Sequence, residues 1–471
     1  MKIILTDYKS VYRITIFFCF SLLVLLSILI WKERIFFIDP AFHLFLMIKD
    51  GTFPIQVQRF GAALTMFLPI IGIKIGLSTT TLALLYSLNI GLYYAFLALL
   101  NIKLNPDCKL AFALFLCYTI LMSFSFFWIQ AELPMGLALS ITFINYLDKL
   151  KLKAWKAPSI FCTLIILITC IYFHPIVSIF LVFLLVFKYL DATTDKKTFT
   201  IGLLLLLSLV IVKKLAFKTT YYDINWMNDT LANLKLLYPH YLSNISNKQF
   251  LTNLIPQYIL LIPAILGIVI YYIIKRSWKK LNWTIFCFFG YLLLVNITCN
   301  KIMPLFHIES FYLPLAGILS IPLALDVLPS LNKKILISVM LIFVFYKLIQ
   351  LNNTYKIVHK RLEIITNILH KTNKVEHKKI LFASSQLPMD SLIITWPISY
   401  EVLMLSIMEN KQNPRNVLVL DDPHSRDSLL TKPLKEFAGT FKSIPYSKFP
   451  INYFSFKDTS SFVLWSGPSF K

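Results

Sequence analysis

The chain has 471 residues, of which 57% are hydrophobic and 15% charged, and its mean hydropathy is +0.70. Soluble domains carry about 25% charged residues, so these figures exclude a soluble globular protein. The formal net charge of +23 does not point to nucleic acid, because Lys and Arg cluster in short loops between apolar runs, where they set membrane topology.

The first apolar run, Tyr12 to Trp31, is about twenty residues long. No small-residue cleavage site follows it, so it reads as a retained first span. Further runs able to cross about 30 Å of hydrocarbon lie near residues 80–100, 110–127, 129–147, 159–173, 175–190, 200–217, 251–274, 283–298, 311–328 and 334–350. Gly61–Leu77 is apolar too, but it contains Pro69, Lys74 and several glycines. It is expected to be a membrane-embedded or interfacial helix within a first outer loop spanning residues 32–79. The positive-inside rule supports leaving it out of the count. With the N-terminus inside, the basic loops Asn101–Lys109, Asp148–Pro158 (with KLKLKAWK at Lys149–Lys156), Asp191–Thr198, Lys275–Lys280 and Pro329–Lys334 all fall on the cytoplasmic side.

After Gln350 the composition changes to charge of both signs with short apolar runs at Lys379–Ala383, Ser391–Thr395 and Val417–Leu420. A helix from about Tyr355 to His370 leads in, and Pro397–Glu409 is a second candidate. The expected fold is therefore mainly α. Residues 1–350 form a polytopic membrane helix bundle of about 11 spans, and 351–471 form a small C-terminal extramembrane α/β domain. No internal repeat is visible. The seven cysteines lie in or beside apolar segments, none after residue 299, with no CxxC spacing, so neither a disulfide framework nor a zinc site is indicated.

Charges within or beside spans cost roughly 2.5–3.5 kcal/mol each at span centres and less near the ends, so each needs a partner or a purpose. Asp39 lies just beyond the first span in Ile35–Leu46 (IFFIDPAFHLFL), followed by Pro40. That spacing suits Asp39 as an N-cap with Pro40 at the first helical position, and a chemical role is compatible with capping. His43, four residues on, shares the helical face. Lys49 and Arg59 follow in the same outer loop and, with Lys213 at the outer end of the seventh span, run against the positive-inside bias. An anionic ligand at the outer surface accounts for them, since Arg and Lys clamp phosphates. Glu132, His174, and the pair His307 and Glu309 also sit at outer span ends. Several separate connections thus deliver a carboxylate or imidazole to one rim.

In layout the sequence resembles the C-type (GT-C) integral-membrane glycosyltransferases. The shared features are a first span, a long first outer loop with an early acid in Ile38-Asp39-Pro40-Ala41-Phe42-His43, many spans with short loops, and a C-terminal domain outside. The resemblance implies transfer of a hexosyl or pentosyl group from a polyprenyl-phosphate-linked sugar to a lipid or glycan acceptor, with Asp39 as catalytic base. His43, Lys49, Arg59, Glu132, His174, Lys213, His307 and Glu309 are then substrate contacts. Asp39 lacks the adjacent second acid found in many members, no metal ligand is assigned, and a divalent metal stays open as cofactor. Few glycines and no transit pattern suit a bacterial inner membrane. Two other classes compete: a polymerase or ligase of lipid-linked glycans, and a non-catalytic transporter or assembly protein.

Overall fold

The computed structural model describes residues 8–130, 132–150, 155–191 and 194–470, which are mainly helical. Residues 151–154 of the basic Lys149–Lys156 loop lie outside the described residues. The helices run α1 (Tyr8–Leu29), α2 (Trp31–Ile35), α3 (Asp39–Asp50), α4 (Phe67–Lys74), α5 (Thr79–Leu104), α6 (Lys109–Leu121), α7 (Glu132–Lys149), α8 (Ala157–Ile171), α9 (Pro175–Tyr189) and α10 (Lys196–Ala216). They continue with α11 (Tyr221–Leu236), α12 (Ile245–Leu254), α13 (Leu261–Ile274), α14 (Trp278–Thr298), α15 (Leu305–Pro322) and α16 (Lys333–Asn373). Among the described residues, six helical stretches are long and apolar enough to cross a membrane: Tyr8–Leu29, Thr79–Leu104, Lys196–Ala216, Trp278–Thr298, Leu305–Ser330 and Lys333–Asn373. Shorter apolar helices, α6, α8, α9 and α13, pack among them.

Two elements differ from the sequence expectation in the bundle. The run 251–274 is broken into α12 and α13, because Pro256 has no N–H to donate and the chain turns before Leu261. The segment 61–77 is a 3-10 turn, Phe60–Thr65, followed by α4. Phe60, Leu64, Phe67, Ile71 and Ile75 are exposed there. A Cβ on Gly61 would stand 2.7 Å from the Phe173 ring, and one on Gly136 would stand 3.0 Å from the Cβ of Phe173. Only glycine allows this close approach, which draws the segment after Arg59 and the start of α7 onto the same side chain.

The bundle has two unlike ends. At one, cations pair with acids: Lys9 with Asp107 at 2.5 Å, Lys188 with Asp148 at 2.6 Å, and Lys280 with Asp326 at 2.9 Å. At the other lie α2, α3, the 122–130 turn, α11 and the C-terminal region. That region holds a parallel three-stranded sheet in the order β2 (Asn416–Leu420), β1 (Lys379–Ala383), β5 (Val463–Leu464). An antiparallel pair, β3 (Glu436–Ala438) and β4 (Ser443–Pro445), lies beside it. Two short helices follow β1, α17 (Met389–Leu392) and α18 (Ile398–Glu409). The run Ser391–Thr395, expected as a strand, instead ends α17 and turns at Ile393, whose φ is 65°. The expected boundary at 350/351 falls in mid-helix: the last apolar run and the helix anticipated from Tyr355 are one element, α16, of 41 residues.

Candidate functional site

The site begins at a turn that isoleucine does not ordinarily adopt. Ile38 has φ 69° and caps α3 without a side-chain hydrogen bond, a conformation that is a genuine outlier for a β-branched residue. Its consequence is that Asp39 is not the N-cap expected from the Asp-Pro spacing but the first residue of the helix, and its carboxylate is free for another partner. Trp128 Nε1 donates to Asp39 Oδ2 at 2.8 Å. Burial pushes the Asp39 carboxyl up to about 7, with Glu132 and Glu401 adding to the rise and the Trp128 hydrogen bond opposing it.

Trp128 is delivered by the 122–130 turn, and Glu309 holds that turn. The Glu309 carboxylate, almost wholly buried, accepts from Ser123 N at 2.8 Å, Ser123 Oγ at 2.6 Å, Phe124 N at 3.1 Å and Ser125 N at 2.7 Å. Its lone pairs are engaged by the fold, so Glu309 is a buried anchor and not the substrate contact expected of it. Arg34, also buried, grips the other end of the turn through Phe126 O at 3.0 Å and α5 through Ser87 O at 2.9 Å. Two residues past Trp128, the Gln130 side-chain oxygen accepts from Tyr86 OH, and Gln130 Nε2 is buried without a hydrogen-bond partner among the described residues.

Arg59 is the centre of a second group. Its Nη1 donates to Glu132 Oε2 at 3.1 Å, its guanidinium lies 5.7 Å from the Tyr222 ring centroid, and its Nε is buried without a hydrogen-bond partner among the described residues. Arg59 also lines a cavity of about 650 Å³, within the range of small-molecule sites. One part of the wall is polar or cationic, with Arg59, His174, Lys213 and Lys214. Asp223, Gln58 and several threonines also line it, and most of the remaining wall is apolar, including Ile176, Val210, Leu231 and Phe311. Lys213 Nζ donates to Ile171 O at 3.0 Å and sits 4.3 Å from the Tyr172 ring centroid. His174 N-caps α9 by accepting from Ile176 N at 3.2 Å through Nδ1.

Aromatic contacts join the two groups. His307 lies 5.7 Å from Trp128 and 5.3 Å from Phe311 between ring centroids, and Phe311 in turn lies 6.1 Å from His174. Trp226, on the cavity wall, is 6.4 Å from His307 and carries Lys301 Nζ at 5.9 Å from its centroid. Asp39, Arg59, Glu132, His174, Lys213 and His307 are thereby gathered at one end of the bundle. Arg59, His174 and Lys213 line the cavity, Glu132 and His307 touch its wall through Arg59 and Phe311, and Asp39 is a further step away, behind Trp128. His43 and Lys49 are not brought in. Burial pushes the His43 imidazole down to about 3, and its Nδ1 has no partner. Lys49 pairs with Asp50 at the far end of α3, about 15 Å along the helix axis from Asp39.

Sequence reasoning passed over Trp128, Lys301, Arg361 and Glu401. Only Trp128 carried a signal, its place four residues before Glu132. As for metal, no three His, Cys, Asp or Glu side chains gather among the described residues, and the acid beside Asp39 is already paired with Arg59. The residues present do not make a ligand set, so no chemistry is routed through a metal here. No protein family, no curated protein and no solved structure matches the chain.

Proposed function

We propose that the chain is a membrane glycosyltransferase of the C type, moving a sugar from a polyprenyl phosphate to a lipid or glycan acceptor. The observation that carries the reading is a cavity wall that gathers Arg59, Lys213 and Lys214 beside an apolar surface, with the buried Asp39 carboxyl within electrostatic reach of the Glu132–Arg59 pair. In this reading about eleven spans cross a bacterial inner membrane with the N-terminus inside, and the C-terminal region and the site face outward.

The chemistry asks for little more than these parts. The acceptor O–H attacks the anomeric carbon, its proton passes to the Asp39 carboxylate, and the bond from the anomeric carbon to the phosphate oxygen breaks with its electron pair leaving on that oxygen. A base with a pKa close to the working pH balances availability against driving force. The leaving group is already a phosphate, so it needs cations and not a proton. Arg59, with an uncommitted Nε–H, and Lys213 supply them, and fixed charges in a water-poor wall act strongly on charge that develops in the transition state. The polyprenyl chain occupies the apolar wall between α9, α10 and α14.

The test is release of sugar from synthetic polyprenyl-phosphate hexose or pentose by the purified protein in lipid nanodiscs, with and without acceptor glycolipid. Transfer that depends on both substrates supports the reading. No turnover of any polyprenyl-phosphate sugar, alongside activity on a polyprenyl-diphosphate glycan, would move the protein to the polymerase and ligase class.

A further inference from the structure

The acid at the centre of the site is held from the far end of the chain. Ile38 N donates to Glu401 Oε1 at 3.0 Å, and Glu401 belongs to α18, more than three hundred residues away in sequence. The same carboxylate receives Arg361 Nη1 at 2.6 Å and Nη2 at 2.9 Å, a bidentate pair in which both side chains are fully buried. Arg361 also donates to Phe36 O at 2.9 Å and to Leu392 O at 3.0 Å. The pair therefore touches the backbone on both sides of Phe37, in the turn where Ile38 takes its positive φ just before Asp39. A backbone conformation of that kind costs of order 1–3 kcal/mol and persists only where its surroundings hold it. Here the holding groups are a charge-assisted N–H acceptor and a guanidinium.

We infer that Glu401 and Arg361 are positioning residues for Asp39: the C-terminal region clamps the Phe36–Ile38 turn and so sets the depth and aim of the carboxylate in the site. The inference rests on the proposed role of Asp39 for its effect on rate, but the clamp itself has a readout that needs no turnover. A buried ion pair is a poor source of stability, and replacing both partners with apolar residues of similar size is often neutral or stabilising. A fold could be secured at this place without charge. What the apolar replacement lacks is an acceptor for Ile38 N and a donor for Phe36 O.

The double variant Arg361→Met/Glu401→Met tests this in nanodiscs, with Asp39→Asn made in both backgrounds. Infrared difference titration, wild type minus Asp39→Asn, isolates the Asp39 carboxyl. The expected result is a folded double variant in which that carboxyl titrates well below its position in Glu401→Gln, which removes the same charge but keeps an oxygen for Ile38 N, because the released turn lets water reach it. Transfer falls at least tenfold in kcat while the KM for the lipid donor holds. An unmoved Asp39 titration overturns the inference, as does a moved titration with unchanged kcat. Should the wild type transfer no sugar at all while the titration still moves, the clamp stands and the glycosyltransferase reading falls. If the double variant fails to fold, the single variant Arg361→Lys decides by the same two readouts, since Lys keeps the charge beside Glu401 and gives up the fork that reaches Phe36 O and Leu392 O. An unaltered titration and kcat in that variant also count against the clamp.

Discussion

At Asp39 the structural and chemical roles separate cleanly, because among the described residues the side chain caps no helix and bonds only to the Trp128 indole. Asn offers the same oxygen to Trp128 but takes no proton, and loss of a general base removes about a hundredfold to ten-thousandfold in rate. Asp39→Asn is expected to express, to keep its melting temperature and to transfer no measurable sugar, as heat denaturation and a transfer assay will check. The pH dependence follows from the same group. Its pKa is raised from 3.8 to about 7, so transfer rises with pH through about 7 as the carboxylate forms. Stability runs the other way: burial favours the neutral carboxyl, and that contribution is full below about pH 4 and lost as pH rises through about 7. At pH 8 the Asn variant should melt no lower than the wild type, which a pair of thermal scans at pH 5 and pH 8 would show.

At the scale of elements, the 122–130 turn decides whether Trp128 meets Asp39, and Glu309 decides the turn. In Glu309→Ala, Ser123 N, Phe124 N and Ser125 N lose their acceptor, and a buried N–H left unmet costs about 1–3 kcal/mol. The variant is expected to melt several degrees lower and to lose transfer more than donor binding, measured by thermal scans and by equilibrium binding of the lipid donor. This role was not legible in the sequence, where Glu309 and His307 look alike as polar residues at a span end. The difference lies in partners about 185 positions upstream, and no local pattern encodes them. Helical runs were far easier to read, since a stretch of about twenty apolar residues has few alternatives in a bilayer. Asn416–Leu420 and Lys379–Ala383 were legible as strands for the converse reason: short apolar runs bounded by polar residues. Ser391–Thr395 fits that pattern equally well, yet it ends a helical turn because Leu392 O and Ile394 O are needed by Arg361. The rim acids and cations could be picked out one by one, but their sorting into cavity wall, inner acid and distant anchor required the packed chain.

For the whole molecule, orientation is open to direct measurement. In a background without native cysteines, Cys at Ser385, exposed in the C-terminal region, is expected to react with a membrane-impermeant maleimide in intact cells. Cys at Trp278, exposed at the ion-paired end, should react only after lysis. The reverse pattern would invert the topology and place the site inside. Arg59 and Lys213 oppose the charge bias of the other loops, and a sequence-based topology treats such residues as noise. In the folded chain they line one cavity, which gives the exception its reason.

Helix α16 runs without a break for 41 residues, about 60 Å at 1.5 Å per residue, and only about half of that length fits within the hydrocarbon. The remainder is a mast with no joint. On the proposed function, a region mounted in this way does not swing aside to admit a substrate, and the carrier lipid would reach Asp39 sideways, through gaps between helices in the plane of the membrane. Asn352→Gly and Asn353→Gly would install the missing joint at a cost of roughly 0.3 kcal/mol of helix propensity each. The expected result is a protein that folds, is clipped by protease near residue 352, and transfers slowly because its acid is no longer held still.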